Sequence, residues 1–349
     1  MKNERSNKTW MIRCDGGRLY DDFREQKIVA IGWSDIAADV KPGMSRKDIG
    51  KLSAQIHPDF TPNEISAGAG QVYRFLSKIQ TGDFVVTYSP DNRTYLFGTV
   101  QGEASYRADT APQGLALVRP VHWMPVEIQR DLLSQQAKNS LGSTMSVFAV
   151  SDTSAGELAA IANGKLPQKN IAANHRETSE DDDGEFSEIS PNPLSEAPQR
   201  ALEAIKDKLA KLSWDEMQEL VAGILRAMGY KTQVSPAGPD RGADIMASPD
   251  GFGFEKPRIV VEVKHRDGQM GSAEIRSFLG GRHEDDRGLY VSTGGFTKDA
   301  KYEADRARTT VPLTLWTMDT LVRALIDHYD KTDAETKRLI PLKRLYIPA

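Results

Sequence analysis

The chain has 349 residues, 39% of them hydrophobic and 27% charged, the proportions of a soluble globular protein long enough for two domains. A formal net charge of −4 excludes a uniformly basic nucleic-acid binder, so any DNA contact must come from local patches. One cysteine, Cys14, excludes an internal disulfide and a cysteine-rich zinc site. No run is apolar enough to span a membrane, and no apolar segment follows Met1-Lys2-Asn3-Glu4-Arg5, so the expectation is a cytoplasmic chain without a signal peptide.

The first region, residues 1–165, carries short apolar runs separated by turn signals. These are 10–12, 28–31, 84–88, 95–100 and 147–150, a pattern that predicts a small curved sheet or barrel. Helices are expected over about 45–56 and 72–79. The order Ile31-Gly32-Trp33, then the 70–79 helix, Gly82-Asp83-Phe84-Val85-Val86 and Phe97-Gly98-Thr99-Val100 resembles PUA-like and EVE-like domains. The resemblance implies a mostly-β pseudobarrel that holds nucleic acid and reads a modified base flipped into an aromatic-lined pocket.

Such a pocket needs stacking faces and polar groups for the base edge. Trp33, Tyr88 and Phe97 are candidate faces, and Ser34, Asp35 and Ser89 candidate hydrogen-bonding groups. For any single aromatic on a short strand, the core is the commoner destination. Trp33 is the preferred exception, because it ends a strand after Gly32 and precedes Ser34-Asp35.

Residues 166–197 change composition. Glu177, Glu180, Asp181, Asp182, Asp183, Glu185 and Glu188 crowd a stretch poor in apolar residues, and Ser190-Pro191-Asn192-Pro193 follows. This predicts an acidic flexible linker.

The second region, residues 198–349, opens on Ser213-Trp214-Asp215-Glu216, which has capping-box spacing. Trp214, Met217, Leu220, Val221, Ile224, Leu225 and Met228 follow it at helical spacing, and Gly229 ends the helix. Next comes a short strand, 243–247, and a turn-rich stretch bounded by Pro249 and Pro257. A strand follows over 258–265, in which Glu262 and Lys264 share a face because side chains alternate. An antiparallel hairpin centred on Gly253 puts Asp244 opposite Glu262, within ~5 Å at the Cβ level. Two carboxylates and an ammonium at one spot suit a hard divalent cation, which takes one or two carboxylates plus phosphate and water. The lysine can orient water or offset charge on a phosphoryl oxygen. An ordinary edge hairpin with a surface Glu-Lys pair is the competing reading, and it wins for a lone Glu-x-Lys.

Gly238-Pro239-Asp240-Arg241-Gly242-Ala243-Asp244-Ile245 followed by Val261-Glu262-Val263-Lys264 resembles the Mrr-type branch of the PD-(D/E)XK nucleases. The resemblance implies a metal-dependent cleavage site on Asp244, Glu262 and Lys264, with Asp244 and Glu262 holding Mg²⁺ or Mn²⁺. The family often adds an acid from the opening helix; here that position is Gln218, with Glu219 next to it. Beyond the hairpin, a helix is expected from Ser272, a buried strand over 288–293, a helix over 298–308, an edge strand around Pro312 and a helix over 318–328. Together these make an α/β core with a mixed sheet flanked by helices. His265, Arg266, Thr293 and Lys298 are candidates for DNA-backbone contact.

The function expected is a modification-dependent, type IV-like restriction endonuclease acting on double-stranded DNA that carries modified bases, modified cytosine first among them. Cutting both strands implies a homodimer. Two alternatives are a modified-base-binding protein with weak or no nuclease activity, favoured by Gln218, and an RNA-directed or repair nuclease.

Overall fold

The computed structural model describes residues 7–165, 193–235, 243–265, 268–283, 285–307 and 311–346. The chain divides into two compact units at Arg200/Ala201, with Asp91–Arg93 grouping with the second. Most of the expected linker, and Gly238 to Gly242 of the nuclease-like motif, lie outside the described residues. From Pro193 on, the expected linker is helical, and that helix runs to Leu209. Among the described residues no helix is long and apolar enough to cross a membrane.

The N-terminal unit contains strands Thr9–Ile12 (β1), Ile28–Ile31 (β2), Phe84–Ser89 (β3), Thr94–Val100 (β4), Ser105–Tyr106 (β5), Leu117–Trp123 (β6), Ile128–Gln129 (β7) and Val147–Ala149 (β8). Helices Tyr20–Gln26 (α1), Arg46–Ile56 (α2), Pro62–Tyr73 (α3), Gln135–Ser140 (α4) and Asp152–Ala162 (α5) connect and cover them. The sheet order is β2-β6-β4-β3-β1-β8, with β5 beside β6 and β7 beside β4. β1 and β3 run parallel, while the other pairs are antiparallel. β2 and β8 are not paired with each other, so the expected barrel is an open, half-barrel sheet.

Alternation sends successive residues to two cores. Trp10, Ile12 and Val85 enter one with Val29, Val72 and Phe75. Met11, Val86, Tyr88 and Phe97 enter the other with Leu141, Leu158 and Ile161. The helix expected over 72–79 is the end of a longer one. α3 begins ten residues earlier, at Pro62, behind a Thr61–Glu64 capping box, and passes into a π-helical turn at Arg74–Lys78. Gly68 and Gly70 disguise this start in the sequence, since glycine disfavours helix. The fully buried Arg119 donates to Phe75 O (2.9 Å) and Leu76 O (3.1 Å), carbonyls of that turn, and to Gly102 O (2.9 Å) beyond β4.

The C-terminal unit contains the end of the Pro193–Leu209 helix (α6), from Ala201 on, and then Trp214–Ala227 (α7), Lys231–Val234 (β9), Ile245–Ser248 (β10), Arg258–Lys264 (β11), Ser272–Gly280 (α8), Asp286–Ser292 (β12), Lys298–Ala307 (α9), Leu313–Trp316 (β13), Met318–His328 (α10) and Ala334–Leu339 (α11). The sheet order is β13-β12-β11-β10-β9. β11, β12 and β13 are parallel; β9 and β10 pair antiparallel. β13 is an edge, as Pro312 predicts. β9, with the sequence Lys-Thr-Gln-Val, is the other edge and carries no apolar alternation that would reveal it.

Helices cover both faces. Leu209, Leu220, Val221, Ile224, Leu321 and Leu325 pack on Val261, Val263, Leu289 and Val291. Ile275, Phe278, Ala300 and Ala304 pack with Tyr290 and Leu313 on the opposite face. β11 and β12 are thus buried between two helical layers, and the side chains of Glu262 and Tyr290 emerge on the α8 side. Thr336 of α11 packs against Gly223 of α7.

A Cβ at Gly98 of β4 would lie 2.6 Å from His122 O, a backbone atom that cannot swing aside. Gly98→Ala is expected to destabilise the N-terminal unit by about 1–3 kcal/mol, read as a lowered urea midpoint.

Candidate functional site

The register of β10 and β11 pairs Ile245 with Val261, Met246 with Val260 and Ala247 with Ile259. Continued by one residue, it sets Asp244 opposite Glu262. At that step the backbone pairing changes: Asp244 N–H donates to Val261 O (2.9 Å), while Val263 N–H donates to the Asp244 carboxylate, Oδ2, at 2.6 Å. The carboxylate therefore stands where a neighbouring strand would offer a carbonyl. Covalent geometry then holds Oδ2 within about 5 Å of the Glu262 Cα.

Glu262 and Lys264 project from the same face of β11, and Lys264 Nζ lies 3.0 Å from Glu262 Oε1. Tyr290 stands in register with Glu262 on β12, and its hydroxyl donates to the same Oε1 at 3.4 Å. Burial, then the neighbouring Glu262, pushes the Tyr290 phenol far up, so it stays a donor at any working pH. Asp244 and Glu262 are only 5% and 9% exposed, whereas the Lys264 side chain reaches solvent at 37%. The guanidinium of Arg282 lies 4.3 Å from the Phe278 ring centroid. Burial lowers the Arg282 pKa, and the nearby Glu262 and Asp286 oppose that shift.

The donor set fits a hard divalent ion. It offers two nearly buried carboxylates, and Glu262 Oε2 has no hydrogen-bond partner among the described residues. Among those residues no third His, Cys, Asp or Glu joins the pair. This matches the one or two carboxylates that Mg²⁺ takes beside phosphate and water.

The opening helix contributes less than expected. α7 has the capping box of Ser213 and Glu216 and packs on the Val261/Val263 face, not the Glu262 face. Gln218 is 2% exposed, its Nε2 has no partner, and its side chain makes no hydrogen bond to Asp244 or Glu262. Glu219 pairs with Arg226 of the same helix, and Arg226 also binds Asp333 (2.7 Å) at the start of α11.

The backbone-contact candidates divide. His265 and Thr293 are 7% and 6% exposed and face each other at 3.0 Å, Nδ1 to Oγ1. His265 Nε2 lies 2.9 Å from Leu212 O, and a carbonyl only accepts, so Nε2 carries the proton. Both residues are nearly buried and tie the end of β11 to β12 and to the Leu212 carbonyl. Lys298 is exposed at the start of α9. Arg266 lies outside the described residues.

In the N-terminal unit a cavity of about 670 Å³ opens beside the end of β2. Trp33, Ser34 and Asp35 line it, as the sequence suggests. Tyr88, Ser89 and Phe97 do not. Tyr88 packs on Tyr95 with ring centroids 4.6 Å apart within the second core, Phe97 is 1% exposed in the same core, and Ser89 is buried at the end of β3. Alternation along β3 and β4 turned Tyr88 and Phe97 inward. Trp33 escapes alternation because it has left the strand: its φ is +54°, the left-handed region that a bulky residue rarely enters. Gly68 makes room for it, since a Cβ there would approach the indole Nε1 to 3.3 Å.

The sequence reading missed two further wall residues, His57 and Phe60. Their rings stack at 4.4 Å with 9° between planes, and His57 Nε2 contacts Asp35 Oδ2. They lie between α2 and α3, more than twenty residues from Trp33, and no local spacing links them to it.

Residues 209–325 match the family described as Restriction endonuclease, of the Mrr catalytic type, and residues 10–150 match a domain of unknown function. An uncharacterized protein of Sinorhizobium fredii, y4cE, is 30% identical over 111 residues, covering 31% of this chain; the chain spans 28% of that relative's length. Among solved structures, MspJI restriction endonuclease in complex with a 27-mer oligonucleotide is 13% identical, with a TM-score of 0.31, over 74% of this chain and 63% of that one. The DNA modification-dependent restriction endonuclease AspBHI is 15% identical, with a TM-score of 0.26, over 86% and 75%. Scores this low do not establish a shared fold. The family match covers α7 through most of α10, with Asp244, Glu262 and Lys264 inside it. The C-terminal unit carries a restriction-endonuclease domain of the Mrr type.

Proposed function

We propose that the chain is a modification-dependent DNA endonuclease. Its N-terminal unit, residues 1–165, reads a modified base, and its C-terminal unit, from residue 198, hydrolyses phosphodiesters at Asp244, Glu262 and Lys264. The observation that carries this reading is the meeting of two nearly buried carboxylates and a solvent-reaching ammonium within a restriction-endonuclease domain.

Domains of this type generally depend on a divalent metal, and Asp244 and Glu262 are the residues that would hold Mg²⁺ or Mn²⁺ here. When bound, such an ion polarises a phosphoryl oxygen and makes water a stronger acid. The protein's own groups do the rest. Val263 N–H fixes the Asp244 carboxylate, Tyr290 and Lys264 orient Glu262, and the ammonium of Lys264 faces an incoming phosphoryl oxygen and offsets its growing charge.

At the other end, a base rotated out of the duplex stacks on Trp33 and meets Ser34 and Asp35, in the manner of a PUA-like or EVE-like reader. Modified cytosine is the base we favour. Two strands need two sites, so a homodimer on DNA completes the reading, and restriction of modified foreign DNA in the cytoplasm is its use. One observation favours a second reading, a modified-base binder with little cleavage: Gln218 brings neither charge nor a hydrogen bond to the carboxylate pair.

Digestion of modified plasmid separates the two. Asp244→Asn is expected to lower Mg²⁺-dependent cleavage by at least ~100-fold while duplex affinity stays within about threefold. Wild-type protein that binds modified DNA and leaves it intact at every Mg²⁺ or Mn²⁺ concentration would leave only the binder. Tyr290→Phe removes one long hydrogen bond to Glu262 and should slow cleavage by no more than about tenfold, measured in single-turnover digestion. Trp33→Ala should cost ~1–3 kcal/mol of affinity for modified duplex and almost none for unmodified duplex, read by fluorescence anisotropy.

A further inference from the structure

Two donors share one oxygen of Glu262. The Tyr290 hydroxyl lies 3.4 Å from Oε1, and the Lys264 ammonium lies 3.0 Å from the same atom. The two differ in charge and in freedom. Tyr290 is an uncharged donor, 1% exposed, with its ring held edge-on by Phe278 and Phe296 at 5.3 and 5.8 Å. Lys264 is a cation on a flexible four-carbon stem, and its side chain is 37% exposed. The first donor is fixed, and the second is free to move away.

Charge gives it a reason to do so. One ammonium against the carboxylates of Asp244 and Glu262 leaves a single net negative charge, whereas the carboxylates alone would offer two to a divalent cation. No third acid among the described residues makes up the difference. Asp244 and Glu262 are nearly buried, so water and salt screen little of this. An ammonium paired with Glu262 therefore opposes the cation that the same carboxylate is suited to hold. We propose that Lys264 is the resident counter-ion of the site: it neutralises Glu262 in the absence of a divalent ion, competes with that ion for the carboxylate, and on giving way is released to face phosphate. Tyr290 keeps Glu262 in position through the exchange. The inference rests on the metal-dependent cleavage site proposed above and concerns how that site is loaded.

The test is Mn²⁺ binding to the full chain without DNA, with free Mn²⁺ read by electron paramagnetic resonance, so that cleavage plays no part. Lys264→Met and the more polar Lys264→Gln remove the charge and keep most of the side chain. Each is expected to bind Mn²⁺ at least ~10-fold more tightly than the wild type. Lys264→Arg keeps the charge and should stay within about threefold of the wild type. Asp244→Asn added to Lys264→Met should abolish the gain. Thermal unfolding is recorded alongside, and the rise in melting temperature on adding Mn²⁺ should be larger in the two neutral variants. Folded neutral variants that bind Mn²⁺ no more tightly than the wild type would overturn the counter-ion role and leave the metal site standing. An equal gain in Lys264→Arg would overturn it as well, because the cause would then be space and not charge. Mn²⁺ binding that Asp244→Asn leaves unchanged would overturn the metal-site reading itself.

Discussion

The hydrogen bond from Val263 N–H to the Asp244 carboxylate is the contact around which the C-terminal unit is arranged. Just before β10, Asp244 N–H still donates to Val261 O, while its carboxylate takes the next donor, Val263 N–H. A carboxylate that serves as a strand's last acceptor cannot wander, and it is pinned between Glu262 and Lys264. Burying two such groups side by side is unfavourable unless each finds hydrogen bonds or a cation. Here Val263 N–H serves one, and Tyr290 and Lys264 serve the other. Both of those contacts are made at Glu262 Oε1. β11 itself is held in the middle of a five-stranded sheet with helices on both faces, so the charged face is presented from a rigid support.

Alternation also explains the N-terminal unit. β1, β3 and β4 lie between two cores, so their aromatics have nowhere to go but inward. Tyr88 and Phe97 follow that rule. Trp33 is free of it only because the chain turns left-handed after β2, and because Gly68 leaves space for the indole. The same loop brings Asp35 to His57, which lies on a different segment of the chain. The cavity is assembled from loops, as binding sites on rigid scaffolds commonly are.

Much of the nuclease-like unit was legible in the sequence. A hairpin of fixed register is a local object: once Gly253 is taken as its centre, the partner of every residue follows, and Asp244 falls beside Glu262. The capping box at Ser213, the edge strand after Pro312 and the apolar stripe of α7 are equally local. The roles of Gln218, Glu219 and His265 were not. Each depends on groups distant in sequence: the face of the sheet on which α7 lands, the Arg226 guanidinium, and the Leu212 carbonyl fifty-three residues away. The pocket was half legible, through Trp33, Ser34 and Asp35, because only that half is contiguous.

The sequence by itself determined the shared face of Glu262 and Lys264 and the pairing of Asp244 with Glu262. These follow from a period of two and a short turn, which act over a few residues. Tertiary structure alone decided which polar residues are used up inside the fold and which aromatics meet across loops. Those outcomes are set by long-range packing and by which distant donor or acceptor arrives, and no local periodicity encodes that.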